Sequence, residues 1–195
     1  MAETFRIIDT GVREGRSNIA FDAALIVERL GGRVAVTIRF LRFPPTALIG
    51  RHQDRSREIN LDYCAQNGVG TVRRITGGGA IYLDEGQLGW ELVFHRASLG
   101  VAALPDLAEK ICNAAALGFG HLGVDAKFRP RNDIEVDGRK ISGTGGFFDG
   151  DVLIYQGTVL VDMNPQQMVS ALNIPEAKLA KRELDSAAQR VVTLK

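Results

Sequence analysis

Apolar and polar positions alternate along this chain with two periods, and the switches between them mark out the elements. A short apolar stretch at 5–8 precedes a helix in which Ile19, Ala23, Ile26 and Leu30 share one face. Ser17 is its expected cap and Gly31-Gly32 its stop. Val34, Val36, Ile38 and Phe40 then alternate with Ala35, Thr37, Arg39 and Leu41, which predicts a strand, and 46–50 after Pro44-Pro45 predicts a second. Asn60 is placed to cap a short helix through Tyr63 and Cys64 that stops at Gly68. The β-branched run 69–75 is a further strand leading into Gly77-Gly78-Gly79. Segments 80–83 and 88–94 read as a hairpin around Asp84-Glu85-Gly86, with Leu88, Trp90, Leu92 and Phe94 on one face.

Leu104, Leu107, Ile111 and Ala115 have helical spacing, closed by Gly118 and Gly120. Strands are predicted at 134–136, 140–142 and 152–162, with a turn at Asp137-Gly138, a loop at 147–150, and a last helix opened by Asn164-Pro165. No repeat or linker interrupts this order. It predicts a single α+β domain over 1–195 with a mixed, largely antiparallel sheet.

Composition narrows the class further. A chain of 195 residues with 45% hydrophobic content can bury a core without staples. Its net charge of +1 supplies no field for a general nucleic-acid or membrane-surface binder. The two cysteines, Cys64 and Cys112, are far apart and form no zinc spacing, which points to a reduced, cytoplasmic chain. The start lacks a basic segment followed by an apolar one, and no run of 18 apolar residues occurs, so neither secretion nor membrane spanning is expected. Glycine stands out at 22 residues, many of them at 77–79, 86–89 and 143–150, where the backbone itself is under demand.

Two clusters carry chemistry. In Arg73-Arg74-Ile75-Thr76-Gly77-Gly78-Gly79-Ala80-Ile81-Tyr82, bare amide groups can wrap an anion, and Arg74 can add a charged fork. A flexible turn with two surface arginines is the competing reading, and neither a Walker nor a Rossmann pattern fits. In Arg131-Asn132-Asp133 and Gly138-Arg139-Lys140-Ile141-Ser142-Gly143-Thr144, a lysine held on a strand can meet developing negative charge without reorganising. An exposed hairpin lysine is the plain alternative. The two clusters together favour a site, because each supplies backbone donors beside a fixed cation.

These motifs, with Leu48-Ile49-Gly50-Arg51-His52-Gln53, Gln156-Gly157-Thr158, Lys178-Leu179-Ala180 and Arg190-Val191, resemble the lipoate-protein ligase A family of the biotin/lipoate ligase and octanoyltransferase superfamily. The resemblance spans nearly the whole chain in order. It implies a class II synthetase-like mixed sheet flanked by helices, and a two-step reaction through lipoyl-adenylate with lipoate and ATP as substrates. Arg74, Thr76 and the loop Gly77, Gly78, Gly79, Ala80, Ile81, Tyr82 would hold the lipoate tail and phosphate, and Lys140 the acyl carbonyl and α-phosphate. Asn132 would bind nucleotide, Asp133 would ligate Mg2+, Gly157 would line the pocket, and Ser142, Gly143 and Thr144 would face adenine and ribose. The implied acceptors are lipoyl domains of acyltransferase subunits or glycine-cleavage H-type proteins. A separate accessory-domain protein is a further expected partner, since such ligases commonly carry or borrow a C-terminal domain.

Three positions depart from the family pattern: Leu83 and Gln156 stand where histidine is usual, and Gln87 where asparagine is. These bear on acyl-chain preference and positioning. Octanoyl or lipoyl transferases in the superfamily use a cysteine facing the lysine, and neither Cys64 nor Cys112 falls in the loops around 140–157. A ligase is therefore expected over a transferase, with a non-catalytic lipoate or lipoyl-domain binder as the rival from another class and biotin as a minor alternative substrate.

Overall fold

The fold is described from a computed structural model over residues 4–100, 103–173 and 191–195. Along the chain run β1 (Phe5–Val12), α1 (Gly15–Leu30), β2 (Val36–Arg42), β3 (Thr46–Ile49), α2 (Arg55–Glu58), α3 (Leu61–Gln66), β4 (Gly70–Arg73), β5 (Ile81–Leu83) and β6 (Gln87–His95). A 3-10 turn at Arg96–Leu99 leads to α4 (Leu104–Gly120), β7 (Lys127–Arg129), β8 (Asp133–Val136), β9 (Arg139–Asp149), β10 (Val152–Leu160) and α5 (Pro165–Ala171). The expected α+β architecture is present. Seven strands form one sheet in the order β1-β2-β6-β10-β9-β8-β7, and β4-β3-β5 form a second, smaller one. In the large sheet β1 pairs with β2 in parallel and the other neighbours are antiparallel.

The predicted hairpin at 80–94 does not form. β5 joins the small sheet beside β3, whereas β6 is central in the large one, with β2 and β10 occupying both of its edges. The segment 84–86 is thus a crossing between sheets. The glycine run 143–146 and residues 147–149, expected as loop, belong to the eleven-residue β9. Close packing explains Gly146, where a Cβ would stand 2.4 Å from the Ile154 carbonyl oxygen on the next strand, whereas a Cβ on Gly145 would meet nothing within 4 Å. β7 and most of β1 lay outside the sequence expectations.

Glu14, not Ser17, caps α1, its carboxylate accepting from the Ser17 amide. The helix buries Gly15, Asn18, Asp22, Leu25 and Ile26 and leaves Leu30 48% exposed, so its inward face is rotated from the apolar stripe. The cause is on β2, where the supposedly outward Thr37, Arg39 and Leu41 are buried and Arg39 draws two polar helix residues inward. Asn60 caps α3 and Asn164 caps α5 as expected.

Each face of the large sheet has its own core. α4 packs Leu107, Ile111 and Cys112 against Phe94, Leu153 and Tyr155 on one side. On the other, α1 sets Leu25 and Ile26 against Val93 and Ile154. The small sheet is covered outside by Ile59, Cys64 and Ala171, and inside by Leu48 and Leu83 meeting Leu41 and Phe43. Each fully buried side chain of this kind contributes about 1.5–3 kcal/mol. The small sheet is therefore anchored on the large one through the last of these contacts, and the space beside it is left for a site. Among the described residues no helix is long and apolar enough to cross a membrane.

Candidate functional site

Between the sheets lies a cavity of about 680 Å³. Residues 76–83 form one wall, and β9 and β10 with Asn132 form the wall opposite. Arg74 ties the first wall together from within: its guanidinium donates to the carbonyls of Gly77 at 2.7 Å and Gly79 at 2.8 Å. Arg73 turns the other way and donates to the carbonyls of Gly50, Arg51 and Gln53. Adjacent arginines thus staple two loops, and Arg74 reaches the cavity with part of its donor set already engaged. The loops also interlock, since Gly78 adopts φ +95° and a Cβ on Gly50 would stand 2.0 Å from its carbonyl oxygen. Gly50→Ala is expected to destabilise the fold by about 1–3 kcal/mol through overpacking. Gly77→Ala, where a Cβ meets nothing within 4 Å, is the near-neutral comparison in the same urea titration.

Lys140 stands at the edge of the opposite wall with its side chain 38% exposed and its ammonium 2.7 Å from Asp133 Oδ1. The second Asp133 oxygen accepts from Arg129, whose Nε pairs with Glu135 at 2.9 Å. Burial raises the Asp133 pKa, but Lys140 and Arg129 outweigh it and hold the carboxyl below its ordinary value. The expected magnesium role does not fit this arrangement. Both carboxylate oxygens are committed to cations, and among the described residues no group of three His, Cys, Asp or Glu is placed to hold a metal.

Asn132 lines the cavity while its side-chain amide donates to the Thr144 carbonyl, and the Thr144 amide and hydroxyl return bonds to the Asn132 carbonyl. Gly143, Thr144 and Gly157 also line the cavity. Gly157 does so with backbone alone, and behind it a Cβ would meet the Trp90 indole at 2.3 Å. Ser142 differs from expectation: it is fully buried, lies outside the lining, and its Oγ has no hydrogen-bond partner. The motifs at 178–180 and Arg190 lie outside the described residues, whereas Val191 reaches the cavity.

Sequence reasoning missed the polar cluster at the end of the cavity under α1. Arg39, fully buried, donates to Asp22 at 2.7 Å, to Glu91 at 3.1 Å and to the Asn18 side chain, and stacks 4.3 Å from the Phe21 ring. Gln156 donates to both carboxylates at 2.9 Å. Asp22 and Gln156 face the cavity. Two carboxylates against one guanidinium leave an excess negative charge, and burial followed by the Glu91 charge pushes the Asp22 carboxyl well above its usual value. The Asp22 proton is therefore held against a charge that burial disfavours. Because the folded form binds that proton more tightly than the unfolded chain, stability from this group is full below about pH 4 and is lost as pH rises through the raised folded value. Asp22→Asn is expected to flatten that slope in melting temperatures measured from pH 4 upward.

The departures from the family pattern are likewise built into the structure. Leu83 joins the apolar contact between sheets, Gln87 donates to the Tyr82 carbonyl, and Gln156 bridges the two carboxylates. Tyr82 is buried, its hydroxyl pushed up to about 12 chiefly by that burial, and it donates to Gln167. Both cysteines are buried and free, and neither lines the cavity.

A mixed sheet with a small sheet laid over it, a glycine-lined cavity between them and a strand-borne lysine at its edge define an α+β domain with a cavity open to a ligand. The comparisons make this specific. Residues 14–195 match the lipoyl protein ligase A/B catalytic domain, and the chain belongs to that family. It is 30% identical over 193 residues to a probable lipoate-protein ligase A of Mycoplasma genitalium, covering 99% of this chain and 56% of that protein. It is 27% identical to the octanoyltransferase LipM of Moorella thermoacetica, covering 94% and 74%. In fold it is similar to the bipartite lipoate protein ligase of Thermoplasma acidophilum, studied with its E2 lipoyl domain (TM-score 0.82, 24% identity, covering 100% and 75%). It is equally similar to a lipoate-protein ligase A bound with ATP (TM-score 0.82, 24% identity, covering 100% and 76%). The chain spans about half the length of the lipoate-protein ligases that it matches.

Proposed function

We propose that this chain is the catalytic domain of an ATP-dependent lipoate-protein ligase. The observation that carries the reading is Lys140, a cation fixed on β9 at the mouth of a cavity whose facing wall is the glycine loop. Lipoate carboxylate oxygen attacks the α-phosphorus of ATP, the bond to the bridging oxygen breaks, and pyrophosphate leaves. In the second step the amine of an acceptor lysine attacks the acyl carbonyl, loses its proton, and expels AMP. Lys140 opposes the negative charge that builds on the phosphoryl and then on the tetrahedral carbonyl oxygens. Glycine-loop amides are the second source of donors. No step is drawn through a protein-bound magnesium ion. Lipoyl domains, of acyltransferase or glycine-cleavage H type, are the proposed acceptors, and an accessory-domain protein remains a proposed partner.

Transfer from a carrier thioester is the second reading, favoured by the similarity to an octanoyltransferase. A covalent route needs a reachable thiolate. The chain's two cysteines are both buried, and burial raises the Cys64 thiol above its ordinary value. Replacing Cys64 and Cys112 together with alanine is therefore expected to preserve ligation, apart from the stability lost with two buried sulfurs. Incubation of the chain with ATP, magnesium, lipoate or octanoate and a lipoyl domain, read by intact mass, tests the function. An acyl mass shift that requires ATP supports the ligase, whereas a shift only from an acyl carrier thioester sinks it.

A further inference from the structure

We infer that Asp133 and Gly143 form a cradle that aims Lys140 into the cavity, with Asp133 acting as a positioning residue and not as a metal ligand. The inference rests on Lys140 being the site's working cation in the reading above. On β9, Lys140 and Gly143 are three residues apart, a spacing that puts side chains on opposite faces of a regular strand. The strand is not regular here: Ile134 pairs with Ser142 and Glu135 with Lys140, so Ile141 is an extra residue. It returns Lys140 and Gly143 to one face, and the lysine chain lies over Gly143. A Cβ at position 143 would stand 2.6 Å from both Lys140 Cε and Nζ, so any larger residue would occupy the place the ammonium holds.

The partner strand supplies the other half. β8 pairs Asp133 with Gly143 and Glu135 with Lys140, the bulged residue Ile141 lying on β9 between them. Asp133 is therefore across from the glycine gap, and its Oδ1 meets the ammonium there at 2.7 Å. Its own orientation is held by Arg129 on the second oxygen, and Arg129 is held in turn by Glu135. The lysine backbone is pinned as well, its carbonyl accepting from the Val192 amide at 2.9 Å. A flexible four-carbon stem is thus fixed at its base and at its tip. Such pre-organisation is what lets a point charge stabilise a transition state without first paying to be ordered.

The test compares Asp133→Asn, Gly143→Ala and the double variant in two assays. The first follows acylation of Lys140 by N-acetoxysuccinimide, read by peptide mass spectrometry, and needs no enzymatic activity. The second measures pyrophosphate release from ATP and lipoate across a magnesium titration. Each single variant is expected to make Lys140 more reactive to the reagent and to lower kcat by about a hundredfold, with the half-saturating magnesium concentration unchanged. The double variant is expected to be no worse than the poorer single, because both remove one contact. If Asp133→Asn instead raises the magnesium requirement and leaves Lys140 reactivity as in wild type, Asp133 is a metal ligand and the cradle is wrong. Unchanged reactivity in folded Gly143→Ala overturns it independently. Wild-type protein that releases no pyrophosphate contradicts the ligase reading alone, and the reagent assay still decides the cradle.

Discussion

Lys140→Ala is expected to abolish most adenylate formation, cutting pyrophosphate release by about two to three orders of magnitude, the usual loss when one pre-organised transition-state donor is removed. The fold is expected to stay intact. The ammonium is partly exposed and its ion pair with Asp133 is open to water on one side, so that pair adds little to stability. Lipoate affinity is expected to change far less than the rate, because the cavity offers an acyl tail apolar residues such as Leu41, Phe43 and Leu48 that the substitution leaves in place. Single-turnover formation of lipoyl-adenylate, with circular dichroism on the same samples, checks both halves. Near-normal turnover in a folded variant would remove Lys140 from the mechanism.

The opposite outcome, a loss of fold before a loss of chemistry, is expected at Arg39. Its guanidinium is fully buried between Asp22 and Glu91. Arg39→Met keeps much of the volume but strands two carboxyl groups that now face each other and the Gln156 amide without a cation. Breaking a buried pair in this way costs about 3–5 kcal/mol, well above the value of any surface pair in this chain. Urea unfolding of the variant, beside a triple variant in which Asp22 and Glu91 also become leucine, measures it. Recovery in the triple variant is the expected sign that stranded charge, not lost packing, is responsible.

The difference between these two sites also explains what could be read in advance. Lys140 and the loop 77–79 stand out because their chemistry is local: a cation and glycines adjacent in sequence remain adjacent in the fold. Asn60, Asn164, α4 and the presence of a strand at β2 were legible for the same reason. The Arg39 cluster was not, since its charges come from positions 22, 39 and 91 on three elements, and a charged residue on an alternating strand reads as outward. What marks it is the mismatch on α1, where Gly15, Asn18 and Asp22 share the buried face. β5 and β6 looked like a hairpin because adjacency in sequence suggests pairing, yet both edges of β6 were claimed by distant strands. The glycines of β9 looked like a loop because what crowds Gly146, the close approach of β10, and what crowds Gly143, the Lys140 side chain, are not visible along one strand.

Among the described residues the two sheets share no ladder of strand hydrogen bonds. What joins them at the cavity is side-chain contact, chiefly Leu41 and Phe43 against Leu48 and Leu83, together with the short crossings at 43–45 and 84–86. Slippery contacts of that kind allow small shear at modest cost, whereas parting two paired strands would break a row of backbone bonds. The two walls of the cavity therefore differ in kind: the glycine loop belongs to a roof held down by side chains, whereas Lys140 belongs to the continuous sheet below.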